Sequence, residues 1–172
     1  VDNKNAELDR LNKIYLRILH DNNVELYEGQ GLLIDEHTVE VNGKTITSEY
    51  ILIAVGGWPS TPDIPGIQHV ISSNEALELR SLPSRMVIVG GGYIAVEFAG
   101  IFSSLGVEVT EILRADTVLR GFDEDIRINL DEQMRKHGVK IVSDSVIKSI
   151  EKQGSAYSLR LENDETLVTD LV

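Results

Sequence analysis

Apolar positions recur at helical spacing in "AELDRLNKIYLRILH" (residues 6–20), where Leu8, Leu11, Tyr15, Ile18 and Leu19 predict a helix that packs by one stripe. The period then shortens. "VELYE", "GLLID", "TVEV", "KTIT" and "YILIAVGG" each read as short strands. Asn42-Gly43 between two of them predicts a hairpin, because a type I′ turn needs positive φ at both central residues. "WPSTPDIPG" (58–66) holds three of the four prolines and reads as an extended connector between domains. Ser72 with Glu75 forms a capping-box pattern ahead of a short helix, "NEALELR".

The second half begins with a strand at 86–89, a glycine turn and a helix over 93–105 that ends at Gly106. A strand, "VEVTEIL" (107–113), follows, then a loop containing arginines. Asp123 is placed to cap a helix over 124–137, with Ile126, Leu130 and Met134 as its buried stripe. Arg135, Lys136 and His137 suit the C-terminal end of its dipole, and Gly138 stops it. The rest, "VKIV", "VIKSIE", "YSLRLE" and "TLVTDLV", is strand-like again. "NGKTITSEYI" (42–51) aligns without a gap to "NDETLVTDLV" (163–172), so the chain reads as the rear part of one nucleotide-binding unit followed by most of a second.

Composition narrows the chemistry. The 28 acidic residues outnumber 16 basic ones, for a net charge of −12, which repels a phosphate backbone and argues against nucleic acid as a partner. Any anionic ligand has to be held by a local basic cluster. No apolar run reaches the roughly 18 residues a membrane helix needs, and no signal pattern opens the chain, so a cytoplasmic or organellar stroma/matrix setting is expected. Cysteine is absent, which removes disulfides, thiolate metal sites and cysteine nucleophiles from these residues. The four histidines (20, 37, 69, 137) show no metal-ligand spacing.

The chemistry-bearing motif is "MVIVGGGYIAVEFAG" (86–100). Its pattern is Gly90-x-Gly92-x-x-Ala95, set between a β-branched strand and a helix. The first glycine permits a tight turn and the second lets a pyrophosphate approach the backbone. A small third residue lets helix and strand pack closely. The phosphates would meet the free N–H groups at the helix start. A site for NAD usually ends its second strand in a carboxylate for the ribose. Here Arg114 stands at that end and Arg120 follows "ADTVL", so an anion trap for a ribose 2′-phosphate is expected. Glu111 falls on the strand where an apolar residue belongs, too early to be the ribose carboxylate.

"GGGYIAVEFAGIFSSLG", the paired arginines of "RADTVLRGFD", "RLNKIY" and "ILIAVGGWPSTPDIPG" together resemble the glutathione reductases among the flavoprotein disulfide reductases, over essentially the whole chain. Trypanothione reductase shares much of the pattern; dihydrolipoamide dehydrogenase is similar but carries an acidic residue near Leu113 and Arg114. The resemblance implies an α/β fold: a Rossmann-like NADP-binding domain over 58–172, with a parallel sheet, helices and an antiparallel β-meander, preceded over 1–57 by part of a similar FAD-binding domain. It implies that Gly90, Gly92, Ile94 and Ala95 line the NADP(H) pyrophosphate site. Arg114 and Arg120 would bind the 2′-phosphate, and Tyr93 would cover the nicotinamide pocket. Glu97 would pair with a lysine near the flavin, and Ala54 and Gly56 would pass close to FAD. The implied full-length protein is a homodimer acting on NADPH and glutathione disulfide; a stand-alone NADP(H) sensor is the alternative. Two positions depart from the family pattern: Val55 replaces the usual Thr and removes a hydroxyl contact, and Ala115 stands where relatives often offer another basic residue.

Overall fold

The computed structural model describes residues 1–172. The chain divides into two compact units, Val1–Trp58 and Pro59–Val172.

Unit 1 opens with helix α1 (Asp2–Asp21). It continues through strands β1 (Gly31–Asp35), β2 (Thr38–Val41) and β3 (Lys44–Thr47), an antiparallel meander in that order. Val41 pairs with Lys44 across a turn in which Asn42 has φ 51° and Gly43 φ 77°, the positive-φ pair expected of this hairpin. The predicted helix is present, but its stripe is not covered. No residue of α1 is buried, and Leu8, Tyr15 and Ile18 are exposed. A small meander whose buried residue is Val41 has too little apolar surface to cover it. Two predicted strands are not formed. Residues 24–28 and 50–57 have no ladder, and Leu52 and Val55 are each 89% exposed. An apolar run becomes a strand only when a neighbour accepts its hydrogen bonds, and nothing in this unit does so.

Unit 2 is an α/β arrangement built on a parallel sheet. Strands β4 (Arg85–Val89), β5 (Glu108–Ile112) and β6 (Lys140–Val142) lie side by side in that order. Helix α3 (Tyr93–Ser104) crosses from β4 to β5, and α4 (Glu124–Lys136) from β5 to β6. A one-turn helix, α2 (Ser73–Ala76), precedes them with the full capping box between Ser72 and Glu75, shorter than the predicted 74–80. Because alternate residues of a strand face opposite ways, the sheet buries two cores. Met86, Val109 and Ile141 pack with Ala99, Phe102 and Met134 beneath the helices. Val87 and Ile112 pack on the other face with Ile147, Ile150, Leu159 and Leu161. The latter four belong to an antiparallel meander of β7 (Ile147–Gln153), β8 (Ala156–Leu161) and β9 (Thr166–Thr169).

Local signals fixed the ends of α4. The Asp123 carboxylate accepts from the amides of Asp125 and Ile126, and Gly138 follows at φ 91°. The stripe differs at one position: Met134 is buried, but Ile126 is 57% exposed. It sits in the first turn, ahead of Leu130 and Met134, which reach the core. The connector also differs from an extended linker. The Pro65 carbonyl accepts from the Ile150 amide at 2.9 Å, and a Cβ on Gly66 would lie 1.8 Å from the Ile150 oxygen. Its end is therefore seated on β7.

Beyond β9, Leu171 forms a parallel bridge with Met86, and the Val87 amide donates to the Leu171 carbonyl at 2.9 Å. Arg85 secures this junction through its guanidinium and its amide, both donating to the Asp170 carboxylate at 2.8 and 2.9 Å. The ion pair holds the Asp170 carboxyl below the usual carboxylate range.

Candidate functional site

The glycine turn leaves β4 at its C-terminal end. Gly90 has φ 128°, a conformation that strongly favours glycine, and its amide donates to the Ile112 carbonyl at 2.9 Å. A Cβ there would lie 3.9 Å from that of Ala95, an ordinary contact, so the turn brings the start of α3 alongside the end of β4. Gly92 differs. Its φ of −81° and ψ of 171° suit any residue, and a Cβ built on it meets nothing within 4 Å. The fold does not demand this glycine. It leaves open space above the first turn of α3, which no side chain caps. The N–H groups of that turn lack helical acceptors, whereas α2 and α4 are capped by Ser72 and Asp123. Bare amides, the positive end of a 12-residue helix and a surface without a Cβ fit a pyrophosphate.

Gly91, a variable position in the motif, is held by packing. A Cβ there would come 3.3 Å from the Leu113 Cβ and 3.6 Å from Val118 Cα. Its carbonyl accepts from the Leu119 amide at 2.6 Å. The loop from β5 to α4 therefore lies directly on the glycine turn. Val118 is fully buried there, and Leu119 takes φ 53°, rare for a residue with a Cβ.

Arg114 and Arg120 project from this loop. Both are exposed, and neither makes an ion pair or hydrogen bond within the chain. By contrast Arg10, Arg85, Arg127, Arg135 and Arg160 are paired with carboxylates. Arg17 on α1 is unpaired as well, so what sets these two apart is their place: both stand on the loop that rests on the glycine turn, in a chain of net charge −12.

Tyr93 and Glu97 stand one turn apart on the outer side of α3. Tyr93 is 61% exposed and Ile94 47%. Glu97 is exposed, without an ion pair in the chain, and borders a shallow concavity lined by Val96, Gly100, Ile101, Ser104 and Leu105. Ala54 and Gly56 belong to unit 1, in the exposed stretch 50–57, with Gly56 at φ 73°.

Sequence patterns alone pointed to neither Leu119 nor Arg127. The left-handed backbone at Leu119 leaves no mark in composition. Arg127 carries a faint signal, since a cation in the first turn of a helix opposes the dipole and needs a reason to be there.

Glu111 is fully buried at the centre of the cross-strand row Ile88–Glu111–Ile141, on the helix-covered face. Neither carboxyl oxygen has a hydrogen-bond partner. Burial, reinforced by the Asp131 carboxylate on α4, pushes its pKa up to about 7. Arg135 serves Asp131 and the Ile141 carbonyl instead.

The family model described as pyridine nucleotide-disulphide oxidoreductase matches residues 2–172, and the chain belongs to that family. Its homologues include glutathione reductases. The enzyme of that name from Nostoc sp. (strain PCC 7120) is 43% identical over 167 residues, 96% of this chain and 36% of the relative. The chloroplastic/mitochondrial glutathione reductase of Pisum sativum is 53% identical over 124 residues, 72% of this chain and 22% of the relative. Among solved structures, the HOCl-induced flavoprotein disulfide reductase RclA from Escherichia coli superposes with a TM-score of 0.88 at 32% identity, covering 99% of this chain and 40% of that one. The chain thus spans well under half the length of these relatives. No helix is long and apolar enough to cross a membrane.

Proposed function

We propose that residues 58–172 are the NADPH-binding domain of a FAD-dependent disulfide reductase, with glutathione disulfide as the final substrate, and that residues 1–57 are the rear part of its FAD-binding domain. The observation that carries the reading is an open, uncapped glycine turn on which rests the loop bearing the unpaired Arg114 and Arg120. Gly90 and Gly92 lie against the pyrophosphate, and the first-turn amides of Tyr93, Ile94 and Ala95 donate to it. The two guanidiniums hold the 2′-phosphate with charge-assisted bonds. Tyr93 covers the nicotinamide pocket with Glu97 beside it, and Ala54 and Gly56 approach FAD. Hydride chemistry is supplied by the bound nicotinamide and flavin; these residues bind and orient them. With no cysteine, this chain by itself reduces no disulfide through a thiol pair. The whole protein is proposed as a homodimer in the cytoplasm or an organelle stroma or matrix, which fits relatives that include a chloroplastic/mitochondrial enzyme.

Calorimetric titration with NADPH and NADH tests this. Each charge-assisted bond contributes about 1.5–3 kcal/mol, so NADPH is expected to bind about a hundredfold more tightly. Replacing both Arg114 and Arg120 by Ala removes the difference. Equal affinities in the parent chain would overturn the reading.

A further inference from the structure

The two arginines of the loop are placed by different parts of the molecule. Arg114 sits between Leu113 and Ala115, whose carbonyls accept from the Ser145 and Asp144 amides, each at 3.0 Å. Its backbone is therefore tied to the segment after β6. Arg120 follows Val118 and Leu119. The Leu119 amide donates to Gly91, and the Val118 carbonyl accepts from Arg127 Nε at 2.9 Å. Arg127 rises from the first turn of α4, and its side chain is only 17% exposed. Its Nη2 also meets the Asp116 carboxylate at 3.3 Å.

A left-handed backbone at a leucine persists only where its surroundings hold it. Here it is held on one side by Gly91 and on the other by the Arg127 fork. A planar guanidinium fixes two acceptors at once in a way lysine cannot. Arg127 also neutralises Asp116, the carboxylate nearest in sequence to the basic pair. Asp116 is 79% exposed, so solvent screens its charge and the pair acts chiefly by holding the fork on the Val118 carbonyl.

We infer that Arg127 is a positioning residue for Arg120, and through it a determinant of preference for the dinucleotide that carries a 2′-phosphate. The inference rests on the function proposed above. Arg127 acts on the loop, through the Val118 carbonyl. It sets where the Arg120 backbone lies over the glycine turn, and leaves Arg114 to its own anchors.

A double-mutant cycle on the chain tests it, with NADPH and NADH affinities from calorimetry and a thermal melt of every variant. Arg127→Gln is expected to lower the NADPH preference about tenfold. In an Arg120→Gln background it is expected to lower it no further, while in an Arg114→Gln background the full factor returns. An unchanged preference in Arg127→Gln, or the same factor in both backgrounds, overturns the inference. If Arg114→Gln and Arg120→Gln themselves leave the preference intact, the proposed function fails; if they reduce it and Arg127→Gln does not, only the positioning role fails. Should Arg127→Gln not fold, Arg127→Lys is carried through the same cycle. It keeps a charge beside Asp116 but cannot hold Val118 and Asp116 in one fixed fork, and it is expected to show the same non-additivity with Arg120.

Discussion

Gly91 and Leu113 are so close that a Cβ added to the glycine would lie 3.3 Å from the Cβ of the leucine, whereas one added to the neighbouring Gly92 would meet nothing within 4 Å. The two positions therefore separate stability from binding. Gly91→Ala overpacks the loop and is expected to cost about 1–3 kcal/mol in urea unfolding. Gly92→Ala keeps an ordinary backbone conformation and is expected to leave the unfolding midpoint nearly unchanged. Under the proposed function it places a methyl group in the path of the pyrophosphate and is expected to weaken NADPH binding about tenfold or more, the equivalent of one charge-assisted hydrogen bond. Undiminished binding by Gly92→Ala would remove the pyrophosphate from this turn.

Glu111 makes the folded chain sensitive to pH in an unusual direction. Its pKa is raised from 4.5 to about 7. Between those values the unfolded chain has ionised this carboxyl and the folded chain has not, so the unfolded state binds fewer protons. Stability then falls as pH rises through that window, by about 1.4 kcal/mol per unit and about 3 kcal/mol in all. Below the window the penalty is absent; above it the penalty is complete. Glu111→Leu is expected to abolish the slope and to stabilise the chain at pH 8 by about 2–3 kcal/mol. Urea titrations at pH 5 and pH 8 decide the matter; parallel behaviour of parent and variant would show that the carboxyl does not titrate here.

Gly66 tests whether the end of the proline-rich connector is structural. Its φ is 88° and a Cβ would lie 1.8 Å from the Ile150 oxygen, which is backbone and cannot swing aside. Gly66→Ala is expected to cost about 3–5 kcal/mol. A thermal midpoint equal to the parent's would mean that residues 64–66 leave β7 without consequence.

Exposed arginines are screened by salt. Raising ionic strength from about 0.05 to 0.5 M shortens the Debye length from about 14 to 4 Å. The affinity for NADPH is expected to fall severalfold more than that for NADH. A salt-independent ratio would place the 2′-phosphate away from Arg114 and Arg120.

Much of unit 2 was legible because its signals are local. Gly90 with Ala95 marks the strand-to-helix turn, Asp123 caps its own helix, Gly138 ends it, and Ser72 pairs with Glu75 three residues on. What failed depends on distant partners. Residues 50–57 have the composition of a strand but no neighbour to bond. Ile126 fits a helical stripe, but only Leu130 and Met134 of that stripe reach the core. The importance of Gly91, Leu119 and Arg127 arises where a loop from one strand rests on the turn after another, a contact absent from any short window of sequence. Glu111 was conspicuous as a polar residue in an apolar alternation, yet its burial without a partner is visible only once α4 is in place.

The loop over the glycine turn is held by main-chain bonds, Leu119 to Gly91, Asp144 to Ala115 and Ser145 to Leu113, and by the Arg127 side chain on the Val118 carbonyl. None of them uses the side chain of Arg114 or Arg120. Under the function proposed above, those two positions can therefore be rewritten to change which dinucleotide is held while the scaffold keeps its shape.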